Sequence, residues 1–353
     1  MPANVKANTG YSIKIRKGLV ERLGLEILRL NDDEYHEIVL ITDEKVSGLY
    51  LQKVILNVQE CPKPEGTKLR ICELLIDSHE ASKTFRTIAK LLEDMAALGL
   101  SKRCTVVALG GGVVCDAAGF AAGVYMNGVR LVLVPTTLAA MVKASAGNYV
   151  RVNLNAGENL AGMSSTPSLV LCDTECLKTL PDDEYRSGLA EALKTSIVSG
   201  GEMFRILERG ADSENIERII EECIKFRAEI SGSDERLRGL KLGCAVGSAI
   251  GALSGYGIQH GLATAQGIGI TAAASARMGW CAEDTAARII AALEKNNLPV
   301  NCTEFKASEI AQSAVKSLGG VIDMVVPVEI GRCEVKRIQA ENLEHIISLG
   351  MSR

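Results

Sequence analysis

The first half of the chain alternates short apolar runs with segments in which apolar residues recur every three or four positions. The apolar runs at 36–46, 105–112 and 129–137 predict buried strands, because each is short and rich in β-branched residues. The stretches 82–100 and 116–126 have the apolar spacing of helices. Strands that alternate with helices are typical of a parallel sheet covered by helices.

The pattern changes near the middle of the chain. Pro181 is followed by acidic residues, which is a common way for a helix to begin. Most later segments, such as 213–230, have helical spacing, and only 320–335 looks like β structure. We therefore predict an α/β plus α fold, with a parallel-sheet domain at 1–180 and a mainly helical domain at 181–353.

Composition limits the classes of partner. The formal net charge is −4, so the chain lacks the basic character of a nucleic-acid-binding protein. No apolar run is long enough to cross a membrane, and the first residues lack a signal-peptide core, so we expect a cytoplasmic protein that acts on small molecules. The 11 cysteines include no CxxC pair and are expected to be buried, reduced thiols.

A glycine-rich turn is the first candidate binding feature. The sequence VALGGGVVCDAAG (107–119) places three glycines between a predicted strand and a predicted helix. Glycines there let a phosphate approach the backbone at a helix N-terminus. The turn lacks the GxGxxG pattern, however, and a tight packing turn explains it equally well. Asp116 has the alternative role of a helix cap, and Thr136 and Thr137 end the next strand, where ligands bind in open α/β sheets.

Six motifs follow one another along the chain: GGGVVCDAAGFAAGVYMNGVR, LVPTTLAAMV, NLNAGENLAG, DTECLKTLP, GLAEALK and YGIQHG. In order and spacing they resemble the dehydroquinate synthase family of sugar phosphate cyclases. The resemblance implies a Rossmann-like NAD-binding domain, a helical domain for metal and substrate, and a homodimer. It also implies that phosphate is eliminated from a heptulosonate 7-phosphate, a carbon–oxygen lyase reaction of the shikimate pathway in which NAD is regenerated.

The resemblance also implies the cofactor-binding residues. Glu65 and Lys68, in PEGTK, match an acidic and a lysine position that precede the next helix in the family. The full set of matching positions is Asp43, Glu65, Lys68, Gly111, Gly112, Asp116, Thr136, Thr137 and Thr179.

The metal and catalytic positions match the family less well. The family holds its metal, zinc or cobalt, with a glutamate and two histidines. Glu191 and His260 match two of these ligands, but Cys244 stands at the first histidine. A thiolate is an acceptable zinc ligand, so Glu191, Cys244 and His260 form the expected metal set, and a buried cysteine without metal is the alternative. A further catalytic histidine falls on Ser248. The matching catalytic residues that remain are Lys194, Arg227 and Asn159.

Several positions that are cationic in the family are substituted here. They carry Asn127, Tyr149 and Glu158, while Lys143 and Lys241 add charge at new places. A doubly anionic substrate needs several cationic partners, so the resemblance leaves three functions open. They are a 3-dehydroquinate synthase-like enzyme, a divergent NAD-dependent cyclase or dehydrogenase on another sugar derivative, and a catalytically silent NAD-binding paralogue.

Overall fold

The computed structural model describes residues 3–6, 11–30, 35–143, 149–155, 157–230, 233–255 and 257–352. The chain divides into two compact units, Met1–Leu180 (unit 1) and Pro181–Arg353 (unit 2). Tyr256 of the YGIQHG motif and the side chain of Glu158 lie outside the described part.

Unit 1 contains a seven-stranded sheet in the order β1-β2-β9-β6-β5-β3-β4 and a separate hairpin, β7-β8. Six strands of the sheet are parallel, and only the edge strand β1 runs antiparallel to its neighbour β2. The strands are β1 (Ala3–Lys6), β2 (Ser12–Ile15), β3 (Tyr35–Asp43), β4 (Lys68–Ile76), β5 (Thr105–Gly110), β6 (Arg130–Pro135), β7 (Tyr149–Leu154), β8 (Gly157–Ser164) and β9 (Leu169–Cys172).

The helices of unit 1 connect these parallel strands. The inner strands are apolar throughout because the sheet is covered on both faces, and every residue of β5 and β9 is buried. The helices are α1 (Leu23–Leu28), α2 (Glu44–Val46), α3 (Gln52–Glu60), α4 (Phe85–Ala97), α5 (Gly112–Val124) and α6 (Leu138–Lys143), with a π-helical turn at Ser47–Leu51 and 3₁₀ turns at Val20–Arg22, Glu80–Ser82, Tyr125–Asn127 and Thr174–Thr179.

Unit 2 is mainly helical and carries one hairpin. Its central helices are buried on most of their surface; in α12 only a few residues reach solvent. The elements are α7 (Asp182–Ser199), α8 (Gly201–Arg209), α9 (Ile216–Ile230), α10 (Asp234–Gly239), α11 (Cys244–Leu253), α12 (His260–Arg277), α13 (Glu283–Lys295), α14 (Ala307–Leu318), β10 (Val321–Glu329), β11 (Arg332–Gln339) and α15 (Ala340–Met351).

The small-residue helix α11 packs directly on α12, backbone against backbone. A Cβ added at Gly247 would lie 2.7 Å from the Ala263 carbonyl oxygen, and one at Gly267 would lie 2.7 Å from the Gly247 amide nitrogen. Side chains at these positions would separate the two helices. The small residues of α11 are therefore required for the close packing of the two helices.

The predicted fold class is confirmed: a parallel sheet with helices precedes a mainly helical part. The β-like segment near 320–335 is an antiparallel hairpin, β10-β11. No described helix has the length and apolar character needed to cross a membrane. All 11 cysteines are free, and burial raises the pKa of several, for example that of Cys115 to about 12.

Candidate functional site

The first group of candidate residues lies at one edge of the sheet in unit 1. Parallel strands place their carboxyl ends on the same side, which is where ligands bind in open α/β folds. Asp43 is the last residue of β3, Gly111 and Gly112 follow β5, and Thr136 and Thr137 follow β6. These residues therefore share one edge, and the strand register pairs Gly110 with Pro135 beside them.

The glycine turn leaves open space at the start of α5. A Cβ added at Gly112, the first residue of the helix, would meet no atom within 4 Å. The first amide groups of a helix have no partner within the helix and carry the positive end of its dipole. The turn can thus accept an anionic group, such as a pyrophosphate, against the backbone.

Hydrogen bonds within and between the neighbouring loops fix their conformation. Asp43 is buried and caps helix α2 by accepting from the Val46 amide at 3.0 Å. The Thr137 hydroxyl accepts from the Ala140 amide at 3.2 Å. The Thr179 hydroxyl donates to the Cys176 carbonyl at 3.1 Å and also contacts the Tyr50 hydroxyl. These contacts hold the loops of the edge in place.

Asp116 and Asn159 meet at a buried lysine that the sequence analysis missed. The Lys83 ammonium lies 3.1 Å from Asp116 Oδ2, 2.8 Å from Asn159 Oδ1 and 2.8 Å from Glu80 Oε1. Asn153 joins this turn to the β7-β8 hairpin, because its backbone N–H donates to the Lys83 carbonyl at 2.7 Å and its side-chain amide donates to the Glu80 carbonyl at 2.9 Å. We call Glu80, Lys83, Asp116 and Asn159 the Lys83 cluster.

The Lys83 cluster contains a carboxyl group with an altered proton affinity. Burial raises the pKa of Asp116 above its ordinary value, and the nearby Lys83 ammonium offsets only part of that effect. A raised carboxyl pKa beside a buried cation is common at binding sites.

Glu65 and Lys68 do not join this edge, and the strand register corrects their assignment. Lys68 begins strand β4 and pairs with Tyr35, whereas Asp43 pairs with Ile76 at the other end. Eight residue steps at about 3.3 Å each put Lys68 about 26 Å from the carboxyl edge. Both side chains are exposed at the opposite end, and no helix follows them directly.

The residues that do precede the next helix are Glu80 and Lys83. An E-x-x-K segment lies on each side of β4, within PEGTK (64–68) before it and at EASK (80–83) after it. Only the second follows the carboxyl end of β4 and leads into α4. Recognising β4 as a strand between the two segments would have placed only the second one at the carboxyl edge of the sheet.

The second group of candidates lies in unit 2, inside the buried helix α7. Glu191 and Lys194 are three residues apart and therefore share one face of the helix. The Lys194 ammonium lies 3.0 Å from each Glu191 carboxylate oxygen, and Arg227 Nη2 of α9 lies 3.7 Å from Oε2. All three residues are buried, with exposed fractions of 2%, 5% and 8%. We call them the Glu191 centre.

The Glu191 centre carries a net positive charge. Burial alone would lower the pKa of Lys194, but Glu191 and the nearby Cys244 outweigh it and raise the pKa, so Lys194 is an ammonium at neutral pH. Arg227 donates from Nη2 to the Thr195 hydroxyl at 3.1 Å, while its buried Nε has no hydrogen-bond partner among the described residues. One carboxylate thus faces two cations, and a buried donor remains for a ligand.

The predicted metal set is not assembled. His260, the first residue of α12, is exposed, and its Nε2 lies 3.9 Å from Glu191 Oε1. Across the part of the chain that the structure describes, no three His, Cys, Asp or Glu side chains are grouped so that they could hold a metal ion. Ser248 is an exposed hydroxyl on the Cys244 helix, α11. The residues present therefore do not fit a divalent metal, because two cations already pair with the one buried carboxylate.

Sequence comparison agrees with this architecture. Residues 73–187 match the family described as 3-dehydroquinate synthase N-terminal, and residues 188–317 match the one described as 3-dehydroquinate synthase C-terminal. The chain belongs to the 3-dehydroquinate synthase family. A 3-dehydroquinate synthase of Pelobacter propionicus is 33% identical over 347 residues, which cover 94% of each chain.

Solved structures share the family fold at lower identity. A 2-deoxy-scyllo-inosose synthase complexed with carbaglucose-6-phosphate, NAD⁺ and Co²⁺ has a TM-score of 0.86 at 21% identity, covering 99% of this chain and 100% of that one. A 2-epi-5-epi-valiolone synthase of Streptomyces hygroscopicus with NAD⁺ and Zn²⁺ has a TM-score of 0.81 at 22% identity, covering 98% of both. At this identity the likeness concerns the fold.

Proposed function

We propose that this chain is an NAD-dependent sugar phosphate cyclase, with 3-dehydroquinate synthase as the specific reaction. The observation that carries the proposal is the Lys83 cluster beside the open glycine turn at the carboxyl edge of the sheet. Family membership and the NAD⁺ in both structural relatives support NAD as the cofactor. The pyrophosphate would lie on the start of α5, with Asp43, Asp116, Thr136, Thr137 and Thr179 around the dinucleotide.

In unit 2, the Glu191 centre is the proposed site for the sugar. Lys194 and Arg227 offer ammonium and guanidinium donors to an anionic oxygen. Asn159 is proposed to act within the Lys83 cluster of unit 1. NAD, when bound, would supply the redox chemistry by accepting a hydride from the substrate and returning it. We further propose that the protein acts in the cytoplasm as a homodimer.

Phosphate release tests the proposed reaction. The purified protein is incubated with NAD and the heptulosonate 7-phosphate, and both inorganic phosphate and NADH are followed. A cyclase that regenerates NAD releases phosphate, on the order of 1 per second, without net NADH. Net NADH from a sugar alcohol identifies a dehydrogenase instead. NAD binding with neither product identifies a silent paralogue and contradicts the proposal.

Tyr149 favours a second substrate class, a sugar phosphate with only one anionic group. This residue is 63% exposed on β7, and the Arg151 guanidinium stacks 6.0 Å from its ring, where the family resemblance places a lysine. A ligand with one anionic group needs fewer cations than the heptulosonate, which carries a phosphate and a carboxylate. Faster phosphate release from a hexose 6-phosphate than from the heptulosonate would support this alternative and contradict the shikimate reaction.

The corrected lysine assignment gives a direct prediction. Lys83→Met should weaken NAD binding at least about tenfold, because a buried charged donor between Asp116 and Asn159 is lost. Lys68→Met is the matched control and should leave the dissociation constant unchanged, since Lys68 lies at the far end of β4. Isothermal titration calorimetry with NAD measures both, and a larger loss in the Lys68 variant would refute the corrected assignment.

A further inference from the structure

Without any metal, the Glu191 centre already carries a net positive charge, as a single carboxylate would after binding a divalent ion. The carboxylate contributes one negative charge, and Lys194 and Arg227 contribute two positive charges within 4 Å of it. A metal site instead gathers anionic or neutral donors around an unfilled position. A divalent ion placed beside Glu191 would meet two cations at short range in a buried environment, where repulsion is only weakly screened.

The side chains available as metal ligands also argue against a divalent metal at this centre. Of the expected donors, His260 lies 3.9 Å from Glu191 and Cys244 acts electrostatically on Lys194, but among the described residues no three His, Cys, Asp or Glu side chains form a group that could hold a metal ion. Ser248 offers only a neutral hydroxyl, and Lys241 on the preceding turn adds another positive charge on the exposed side. The family resemblance places histidines at the positions of Cys244 and Ser248, so two imidazoles are absent here, and Lys241 adds a cation.

We propose that the Glu191 centre is independent of divalent metal, with the Lys194 ammonium and the Arg227 guanidinium supplying the positive charge that faces the ligand. The ligand class is an oxygen-bearing anion, because the unpartnered buried Nε of Arg227 requires an acceptor. Lys194 and Arg227 would stabilise negative charge on that oxygen as fixed hydrogen-bond donors. The inference rests on the proposed function only in taking this centre as the site that receives the sugar.

Metal content is the first measurement. The full chain is produced with added zinc, freed of loosely bound ions and analysed by elemental mass spectrometry beside Glu191→Gln. We expect the metal content of the unsubstituted chain to exceed that of Glu191→Gln by less than about 0.1 ion per chain. We also expect the same melting temperature with and without a chelator. Near-stoichiometric metal that is absent from Glu191→Gln overturns the inference. Metal retained by Glu191→Gln lies elsewhere and supports it.

The charge balance is tested by a set of matched variants. Lys194→Met leaves Glu191 buried with one cation fewer and should lower the melting temperature by about 10 °C. Lys225→Met removes a half-exposed lysine of α9 that pairs with Glu221 and Glu222, and it should change the melting temperature by less than about 2 °C. The double variant Glu191→Gln/Lys194→Met should recover most of the loss. Equal melting temperatures for the two lysine variants would contradict a balancing role for Lys194.

NAD binding to the same samples separates this inference from the proposed function. A chain that binds NAD in chelator and carries no metal supports both. A chain that binds NAD and carries metal at Glu191 refutes the inference alone. A metal-free chain that does not bind NAD refutes the proposed function and leaves the charge balance of the Glu191 centre supported.

Discussion

Gly267→Ala is expected to destabilise unit 2 by about 3 kcal/mol or more. The added methyl group would collide with the Gly243 carbonyl oxygen and would lie 2.7 Å from the Gly247 amide nitrogen. These are backbone atoms of the facing segment, so no side-chain rotation relieves the overlap and the helices must separate. Overpacking of a rigid interior commonly costs about 1–3 kcal/mol, and backbone contacts lie at the upper end.

Gly251→Ala is the matched control for this prediction. Gly251 lies in α11, and a Cβ added there would meet no atom within 4 Å. Alanine should leave stability unchanged or raise it by about 0.5–1 kcal/mol, because glycine is the more flexible residue in the unfolded chain. Denaturant unfolding followed by circular dichroism measures both variants. Similar unfolding midpoints for the two would show that α11 and α12 do not pack as closely as described.

Gly112→Val is expected to weaken NAD binding at least about 100-fold while leaving the fold intact. A Cβ added at Gly112 would meet no atom within 4 Å, so we expect the folded chain to have room for a small side chain there. The same open space is where the proposed pyrophosphate approaches the first turn of α5. A hundredfold loss corresponds to about 2.7 kcal/mol, the scale of a displaced charge-assisted contact.

Gly48→Val provides the control in the same unit. Gly48 also has no atom within 4 Å of an added Cβ, but it lies in the π-helical turn at Ser47–Leu51. Both variants should keep melting temperatures close to that of the unsubstituted chain, and only Gly112→Val should lose affinity in calorimetric titration with NAD. Undiminished affinity in Gly112→Val would show that the dinucleotide does not approach the glycine turn.

Much of unit 1 could be predicted from local sequence. The strands at 36–46, 105–112 and 129–137 were placed within a few residues of β3, β5 and β6, because buried parallel strands are continuous apolar runs. The glycine turn was also identified correctly as the junction between a strand and a helix. Strand β4 was missed, since at the sheet edge none of its residues is fully buried and its apolar residues are interrupted by Lys68, Arg70 and Glu73. The β7-β8 hairpin was missed as well.

The amino-acid sequence by itself determined the family, the order of strands and helices, and the residue types available at each site. Tertiary structure decided which of these residues meet. The register of β4 against β3 selected Lys83 over Lys68, although both belong to the same E-x-x-K pattern. The packing of α9 on α7 brought Arg227 to Glu191, so a carboxylate expected to bind metal is paired with two cations. The physical reason is that periodicity reports neighbours along one element, whereas contacts between elements depend on register and on how closely backbones approach.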